Sequence, residues 1–386
     1  MVKKITDSVI YIGCDDADLD LFESQFIVPN GMAYNSYAIM DEKVCIMDTV
    51  DKRAADAWLF NVKEALGDRR ADYLVISHME PDHTGSIQTL AEMFPDMKIV
   101  GNTKTFMFYD QFFSFDISDR KIVVKEGDTL ELGANTLKFT MAPMVHWPEV
   151  MMSYLSGDKV FFSADAFGKF GTLDTDEDWA CEARRYYFNI VGKYGSQVQA
   201  VFKKMETMDV QAICPLHGPI LTENLGYYLD KYRVWSSFEP EDKGIFIAYA
   251  SIHGNTAAAA MQLKELLESK GAPKVAITDL SRDDVAEAVE DAFRYDRMVL
   301  ACSTYNMGIF PPMERFLNQL KAKDYQNRTV GLMENGTWAP AAARLMKAQL
   351  EGMKNVRVLD TVVSIKSSLK GETPEAMVSL ADELLK

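Results

Sequence analysis

Four of the five histidines in the chain fall into one spaced pattern, and no other feature constrains the fold as much. The pattern runs His78-Met79-Glu80-Pro81-Asp82-His83, then His146, Asp165 and His217. Imidazole is the commonest nitrogen ligand of protein-bound metals, and carboxylates complete the sites of harder ions. Each segment of the pattern closes an apolar run. His78 ends Tyr73-Leu74-Val75-Ile76-Ser77, and His146 ends the stretch from Phe139 to Val145. Asp165 ends Val160-Phe161-Phe162-Ser163-Ala164, and His217 ends Ala212-Ile213-Cys214-Pro215-Leu216. Buried strands finishing in this way can bring all seven groups together along one edge of a sheet, and strands hold ligands more firmly than loops do. A two-metal centre is therefore expected. Pro81 stiffens the tight loop between His78 and His83, and Gly85 follows it. Alternation there sends His78 and Glu80 to one metal and Asp82 and His83 to the other. Asp165, with two oxygens, can bridge them. Any one of these histidines alone would read as an ordinary core residue; the conjunction with three carboxylates is what points to metal.

The chain has 386 residues, beyond the size at which a single core stops growing, so two domains are expected. The polar, Pro- and Gly-bearing segment Phe238–Gly244 sets the boundary, giving domains 1–243 and 244–386. The net charge is −16, and the second domain holds 17 basic against 18 acidic residues, so almost all the excess acidity lies in the first. An acidic chain of this kind is a poor partner for nucleic acid, which needs clustered Lys and Arg. None of the five cysteines (Cys14, Cys45, Cys181, Cys214, Cys302) forms a CxxC pair, which argues against a built-in rubredoxin or zinc ribbon. Their odd number fits reduced thiols in a cytoplasm. No apolar run approaches the ~20 residues that span a bilayer, and no signal peptide is read at the N-terminus.

Residues 1–240 read as mixed α/β, with strand-like runs at Val9–Ile12, Ala38–Met40, Val44–Met47, Tyr73–Ile76, Lys98–Val100, Leu137–Met141, Val160–Ser163 and Gln211–Cys214. Asp178–Met208 lacks Pro and repeats apolar residues at helical spacing, with breaks expected at Gly192 or Gly195. Beyond residue 244 five strands, opening at Ile245, Val275, Met298, Thr329 and Val356, alternate with five helices. That alternation specifies an open parallel sheet wound on both faces.

The histidine pattern resembles the metallo-β-lactamase superfamily, whose signature is HxHxDH followed by later His, Asp and His ligands. Here Glu80 replaces the second histidine. A carboxylate-rich shell favours a harder, redox-active metal such as iron over zinc. The spacing, with 62 residues before His146 and 18 between His146 and Asp165, resembles the flavodiiron protein family. The 51 residues between Asp165 and His217 are somewhat fewer than the family's usual gap, read as a shorter helical connection. The resemblance implies one iron on His78, Glu80 and His146, a second on Asp82, His83 and His217, and Asp165 between them. In some family members the histidine matching His83 lies off the metal.

The loop Ser251-Ile252-His253-Gly254-Asn255-Thr256 joins the first strand and helix of the second domain. Amides at a helix N-terminus attract anions, and the hydroxyls of Ser251 and Thr256 add donors, which suits a phosphate monoester. The loop lacks GxGxxG, lowering the dinucleotide reading. Two later strand ends, Ser303-Thr304-Tyr305-Asn306-Met307-Gly308 and Glu334-Asn335-Gly336-Thr337-Trp338, lie where open α/β sheets bind ligands. Together the three loops resemble flavodoxin, which implies FMN held by Ser251, His253, Gly254, Asn255, Thr256, Ser303, Thr304, Asn306, Gly308, Asn335 and Gly336. Tyr305 and Trp338 would flank the flavin.

The resemblance thus covers the whole chain: an αββα metallo-β-lactamase-like sandwich followed by a five-stranded doubly wound flavodoxin-like domain, as in the minimal two-domain members. It implies an oxidoreductase that reduces dioxygen to water, nitric oxide to nitrous oxide, or both. FMN and a diiron pair each store two electrons, and the first reaction takes four. Trp147 is expected to wall the substrate pocket and Tyr194 to donate a proton or hydrogen bond. Rubredoxin and a reduced deazaflavin coenzyme are the family's precedents for an external donor. Head-to-tail homodimers, or dimers of them, are its assembly. The rival readings are a binuclear zinc hydrolase with a flavodoxin-like regulatory module and a diiron gas sensor without turnover.

Overall fold

The computed structural model describes residues 2–370 and 373–386. It divides into two compact units, Met1–Arg233 and Val234–Lys386, so the division falls within helix Leu225–Ser236, ahead of the polar segment at 238–244.

The first unit is built on two sheets. The larger has seven strands in the order Lys3–Lys4, Val9–Tyr11, Tyr37–Met40, Val44–Met47, Tyr73–Val75, Lys98–Gly101 and Lys121–Val123. The smaller has five: Thr129–Glu131, Thr136–Met141, Met151–Leu155, Val160–Phe162 and Ala212–Cys214. Val44–Met47 is buried along its whole length, as expected of an inner strand covered on both faces. Side chains of both sheets meet in one core, with Val9, Ile39 and Val75 of the first packed with Phe139, Met151 and Phe162 of the second. A fully buried Phe such as Phe139 is worth about 3–5 kcal/mol against Ala. Helices Ala55–Leu66 and Thr103–Phe112 pack on strands of the larger sheet. Asn102 caps the second of these in a capping box with Thr105.

The strand directions put the site at one end. Val160–Phe162 runs parallel to Ala212–Cys214. Thr136–Met141 is antiparallel to Met151–Leu155, which is antiparallel to Val160–Phe162. The chain therefore leaves the same edge of the smaller sheet towards His146, Asp165 and His217. His78 instead follows Tyr73–Val75, in the larger sheet. The expectation of a single sheet edge is thereby corrected: the ligands leave two sheets. Hydrophobic period reveals that a strand is buried and leaves its hydrogen-bonding neighbours open. The stretch 178–208 is helical as expected but changes form without a break. It is α-helical over Trp179–Tyr186, π-helical over Tyr187–Val191, 3-10 over Gly192–Tyr194 and α-helical again over Gly195–Met205.

The second unit has parallel strands in the order Val275–Asp279, Asp242–Ala250, Tyr295–Tyr305, Thr329–Asn335 and Arg357–Ile365. This is the 2-1-3-4-5 order of flavodoxin-like sheets, with its switch point between the first and third strands. The intervening helices are Asn255–Ser269, Val285–Arg294, Pro311–Ala322 and Ala342–Leu350, and Thr373–Leu384 closes the unit. The short strand Gly308–Ile309 folds back on Tyr295–Tyr305 through Asn306 and Met307, whose φ of 47° and 63° make a two-residue hairpin of the primed type.

Candidate metal centre and cofactor cavity

The seven sequence-predicted ligands converge as two groups, His78, Glu80, His146 and Asp165, and Asp82, His83 and His217. In the first, Glu80 Oε2 lies 3.1 Å from Nε2 of both His78 and His146, and those two nitrogens are 3.3 Å apart. An ion about 2.1 Å from each donor sets neighbouring donors about 3.0 Å apart in an octahedron and about 3.4 Å in a tetrahedron. In the second, Asp82 Oδ2 lies 3.4 Å from His83 Nε2 and 3.2 Å from His217 Nε2. With Asp165 set apart, each group is a pair of histidines with one carboxylate, the pattern of non-haem iron sites. Asp165 stands between them. Its Oδ2 is 3.0 Å from His146 Nε2 and 3.5 Å from His78 Nε2, while its Oδ1 is 3.1 Å from His83 Nε2 and 3.8 Å from His217 Nε2.

The residues fit a metal pair on their own hydrogen bonding. Both oxygens of Asp82 and Asp165, both ring nitrogens of His83 and Nε2 of His217 are buried without a hydrogen-bond partner, despite these short approaches. A buried polar group left unpaired costs about 1–3 kcal/mol. Lone pairs that converge out of hydrogen-bond alignment are what shared cations would satisfy.

Neighbours fix the ligand orientations. His78 Nδ1 donates to Glu149 Oε1 at 2.7 Å, and the same oxygen accepts from the Met79 amide at 2.8 Å. His217 Nδ1 donates to the Ala33 carbonyl at 2.8 Å. In each ring Nε2 is thereby left as the lone-pair atom. The His83 carbonyl accepts from the Thr49 amide at 2.9 Å and from the Thr49 hydroxyl at 2.8 Å. Asn35 donates to the carbonyls of Pro215 and Gly218 on either side of His217, at 2.9 and 2.8 Å. Gly85 closes the first ligand loop where a Cβ would stand 2.6 Å from the Lys52 nitrogen. A pocket of about 520 Å³, with Phe22, Glu23, Tyr34 and Arg53 among its walls, reaches Glu80 and Asp82.

In the second unit a cavity of about 460 Å³ opens at the switch point. Ser251, His253, Asn255, Thr256, Ser303, Thr304, Tyr305, Asn306, Asn335, Gly336 and Trp338 line it as expected, joined by Ile252, Met307, Thr337, Ala339 and Ser367. Gly254 and Gly308 do not line it. Gly254 is the N-cap of helix Asn255–Ser269 at φ +87°, a conformation glycine tolerates, and Gly308 forms the hairpin's return strand. That N-cap makes no side-chain hydrogen bond, so the first-turn amides stand uncapped, as a phosphate would require. Thr256 and Ser303 share a hydroxyl hydrogen bond of 2.9 Å beside them. Trp338, 86% exposed, and Tyr305 stand at the cavity as flat apolar walls suited to a flavin ring. Ser367 was not foreseen; its amide donates to Asn335 Oδ1 and its carbonyl accepts from Asn335 Nδ2, both at 3.1 Å.

Residues 32–218 match the family described as ODP family beta lactamase, and residues 247–379 match flavodoxin. A flavo-diiron protein of Clostridium acetobutylicum is 28% identical, over 91% of this chain and 91% of its own length. An anaerobic nitric oxide reductase flavorubredoxin of Vibrio vulnificus is 28% identical, over 95% of this chain and 76% of its own length. The rubredoxin oxygen:oxidoreductase of Desulfovibrio gigas superposes with a TM-score of 0.91 at 26% identity, covering 100% of this chain and 98% of that one. The chain belongs to the flavodiiron protein family. The flavodoxin half of a flavodiiron protein implies FMN, and the imidazole and carboxylate clusters of the other half are of the kind that holds its diiron pair.

Two further side chains of this flavodiiron site were singled out in the sequence. Trp147 stands with its ring 5.1 Å from that of His78, at 90°, as a wall of the first group. Tyr194 is half-buried at the N-cap of helix Gly195–Met205 and makes no ring contact with the site's histidines. Two tyrosine rings do stand at His217, Tyr34 at 6.1 Å and Tyr186 at 5.7 Å, and the hydroxyl of the fully buried Tyr186 has no hydrogen-bond partner. Of the two, Tyr186, whose hydroxyl is unpartnered, is the candidate for the part expected of Tyr194. Glu149 was missed as well, since nothing in a Trp-Pro-Glu-Val turn marks a carboxylate that faces a histidine 71 residues away.

The charges hold one another in place. Burial pulls the His146 imidazolium down, but the facing Asp165 and Glu80 carboxylates outweigh it and raise its pKa to about 9. Burial also opposes His78, which Asp165, Glu149 and Glu80 hold well above the ordinary range. Burial would raise Glu80 and Asp165; the surrounding histidines keep both below the usual carboxylate range. Asp48 behaves oppositely. Burial raises its pKa to about 6, against the hydrogen bonds from the Ser77 and His78 amides that favour its charge.

Proposed function

We propose that this flavodiiron protein reduces dioxygen to water, nitric oxide to nitrous oxide, or both, at two irons held by His78, Glu80 and His146 and by Asp82, His83 and His217, with Asp165 bridging. The observation that carries the reading is the division of Asp165, one oxygen facing each two-histidine, one-carboxylate group. The named activities of the Vibrio and Desulfovibrio relatives support the substrate class. Iron and FMN, when bound, would supply the diatomic-ligand binding and the electron storage that these reductions need. The chain's own residues position and shield. Glu80, Asp82 and Asp165 balance the charge of two cations in a buried site. Glu149 and the Ala33 carbonyl hold His78 and His217 with Nε2 presented. Trp147 closes one side against water, and the unpartnered Tyr186 hydroxyl is placed to donate a hydrogen bond to a bound substrate.

The proposed electron donor is external, either a rubredoxin or a reduced deazaflavin coenzyme, and the rubredoxin in the name of the Desulfovibrio relative supports the first. The proposed assembly is a head-to-tail homodimer or a dimer of such dimers. The proposed compartment is the cytoplasm, in line with five cysteines that form no disulfide and with no helix, among the described residues, long and apolar enough to cross a membrane. The test is consumption of each gas by iron- and FMN-loaded protein with a reduced donor. Catalytic loss of dioxygen or nitric oxide supports the reading; stoichiometric binding without turnover would leave a sensor, and hydrolysis with zinc alone would leave the rival enzyme.

A further inference from the structure

The pocket of about 520 Å³ that reaches Glu80 and Asp82 is unevenly charged. Asp82 lines it while only 8% exposed, with both oxygens unpartnered, so a molecule that enters meets a candidate metal ligand. Besides the two ligands, Asp20, Glu23 and Asp51 in the wall are acidic and only Arg53 is basic. Arg53 is already engaged, its Nε lying 2.8 Å from Oδ2 of Asp16, which does not line the pocket. The sequence concentrates this charge. Asp15, Asp16, Asp18, Asp20 and Glu23 fall within nine residues, and no Lys or Arg stands between Lys4 and Lys43.

Local structure holds these groups at the site. Strands Leu21–Phe22 and Phe26–Ile27 form a hairpin that turns through Glu23 and Ser24, at φ of 48° and 56°. Phe22 is buried, with its ring 5.4 Å from that of His217 and 5.8 Å from that of Phe170. That anchor keeps Glu23, the next residue, at the pocket. Asp51 is fixed by accepting from the Arg53 amide at 2.8 Å. Glu80, Asp82 and Asp165 cannot cancel the whole charge of two irons, so the loaded centre would attract any small anion able to ligate iron. A cleft lined by one sign of charge gathers ions of the other sign and depletes those of its own. We propose that the acidic mouth formed by Asp20, Glu23 and Asp51 keeps small ligating anions, such as azide or nitrite, off the metal pair and leaves uncharged diatomic gases free to enter. The proposal rests on the iron reading given above.

Azide titration of oxidised, iron- and FMN-loaded protein, followed by the charge-transfer absorption of azide on iron, tests it. Asp20→Asn combined with Asp51→Asn removes two charges from the mouth, and asparagine can still accept from the Arg53 amide. Azide is expected to bind severalfold more tightly to this double variant and severalfold more weakly to Arg53→Gln. Added salt should tighten azide on the unmutated protein, because exposed charges are screened beyond about 8 Å at physiological ionic strength. The same salt should matter less in the double variant. Nitric oxide is uncharged, so its affinity for the reduced protein should be the same in all three. Equal azide affinity across the variants, or a nitric oxide affinity that moves with that of azide, overturns the proposal. The salt series and Arg53→Gln carry the test if the double variant does not fold. An unmutated protein that takes up no iron and shows no azide band sinks the functional reading, and this proposal with it.

Discussion

Glu149→Gln isolates the hold on one metal ligand. The Glu149 side chain is buried, and its Oε1 accepts both the His78 ring at 2.7 Å and the Met79 amide at 2.8 Å. Its second oxygen has no hydrogen-bond partner, so an amide nitrogen placed there faces no donor that it would repel. The substitution keeps shape and one acceptor and removes the charge that makes the His78 contact strong. A hydrogen bond to a charged group is worth about 1.5–3 kcal/mol and a neutral one about 1, so the loss is about 0.5–2 kcal/mol. That is about two- to thirtyfold in affinity, its upper part reaching the 10–100-fold range typical of partners behind a metal ligand. Competition with a chelator of known iron affinity, followed by the visible spectrum, reads the two irons separately. The ion on His78, Glu80 and His146 is expected to weaken and the other to change less than twofold. An equal loss at both irons, or no loss at either, would refute the idea that Glu149 acts through the His78 ring.

Tyr186→Phe removes a buried hydroxyl that has no partner. Thermal unfolding should therefore show equal or slightly greater stability, by up to about 1 kcal/mol, while turnover of either gas falls about tenfold or more; unchanged turnover would remove the phenol from the mechanism. Asp48→Asn tests a pH linkage. The folded-state pKa of about 6 lies above the unfolded value near 3.8, so the protonated group favours the folded state. Its stabilisation is complete below about pH 4 and is lost as pH rises through 6, about 3 kcal/mol in all, so wild type minus Asp48→Asn should fall across that window in denaturant titrations. A flat difference would contradict the buried, raised carboxyl. Thr256→Ala should weaken FMN about tenfold in fluorescence titration without altering iron content, since it removes one hydroxyl beside the uncapped helix terminus. A matching loss of iron would show that the variant damages folding instead.

The site's chemistry was legible because ligands at strand ends leave a linear trace. His78, Asp165 and His217 each follow an apolar run, and those runs are strands. The second unit was legible to within a few residues at each strand start, because a doubly wound sheet alternates its elements along the chain. What failed depends on long-range pairing. Strand Met151–Leu155, between His146 and Asp165, was not recognised, and its pairing sets the direction in which their strands run. Tyr186 and Tyr194 lie on either side of the π-helical turn Tyr187–Val191. Bonding of i→i+5 type slips the helical phase there, so the face of one tyrosine cannot be carried to the other from a 3.6-residue period. Glu149 and Ser367 act through contacts with residues distant in sequence, His78 and Asn335, and no local motif records either.

Anomalous diffraction at the iron edge, on protein purified without added metal, tests the central claim most directly. Two iron peaks per chain are expected, about 3.5–4 Å apart, one between His78, Glu80 and His146, the other between Asp82, His83 and His217, with an oxygen of Asp165 towards each. Zinc in both positions, a single iron, or an Asp165 carboxylate turned away from both metals would contradict the account.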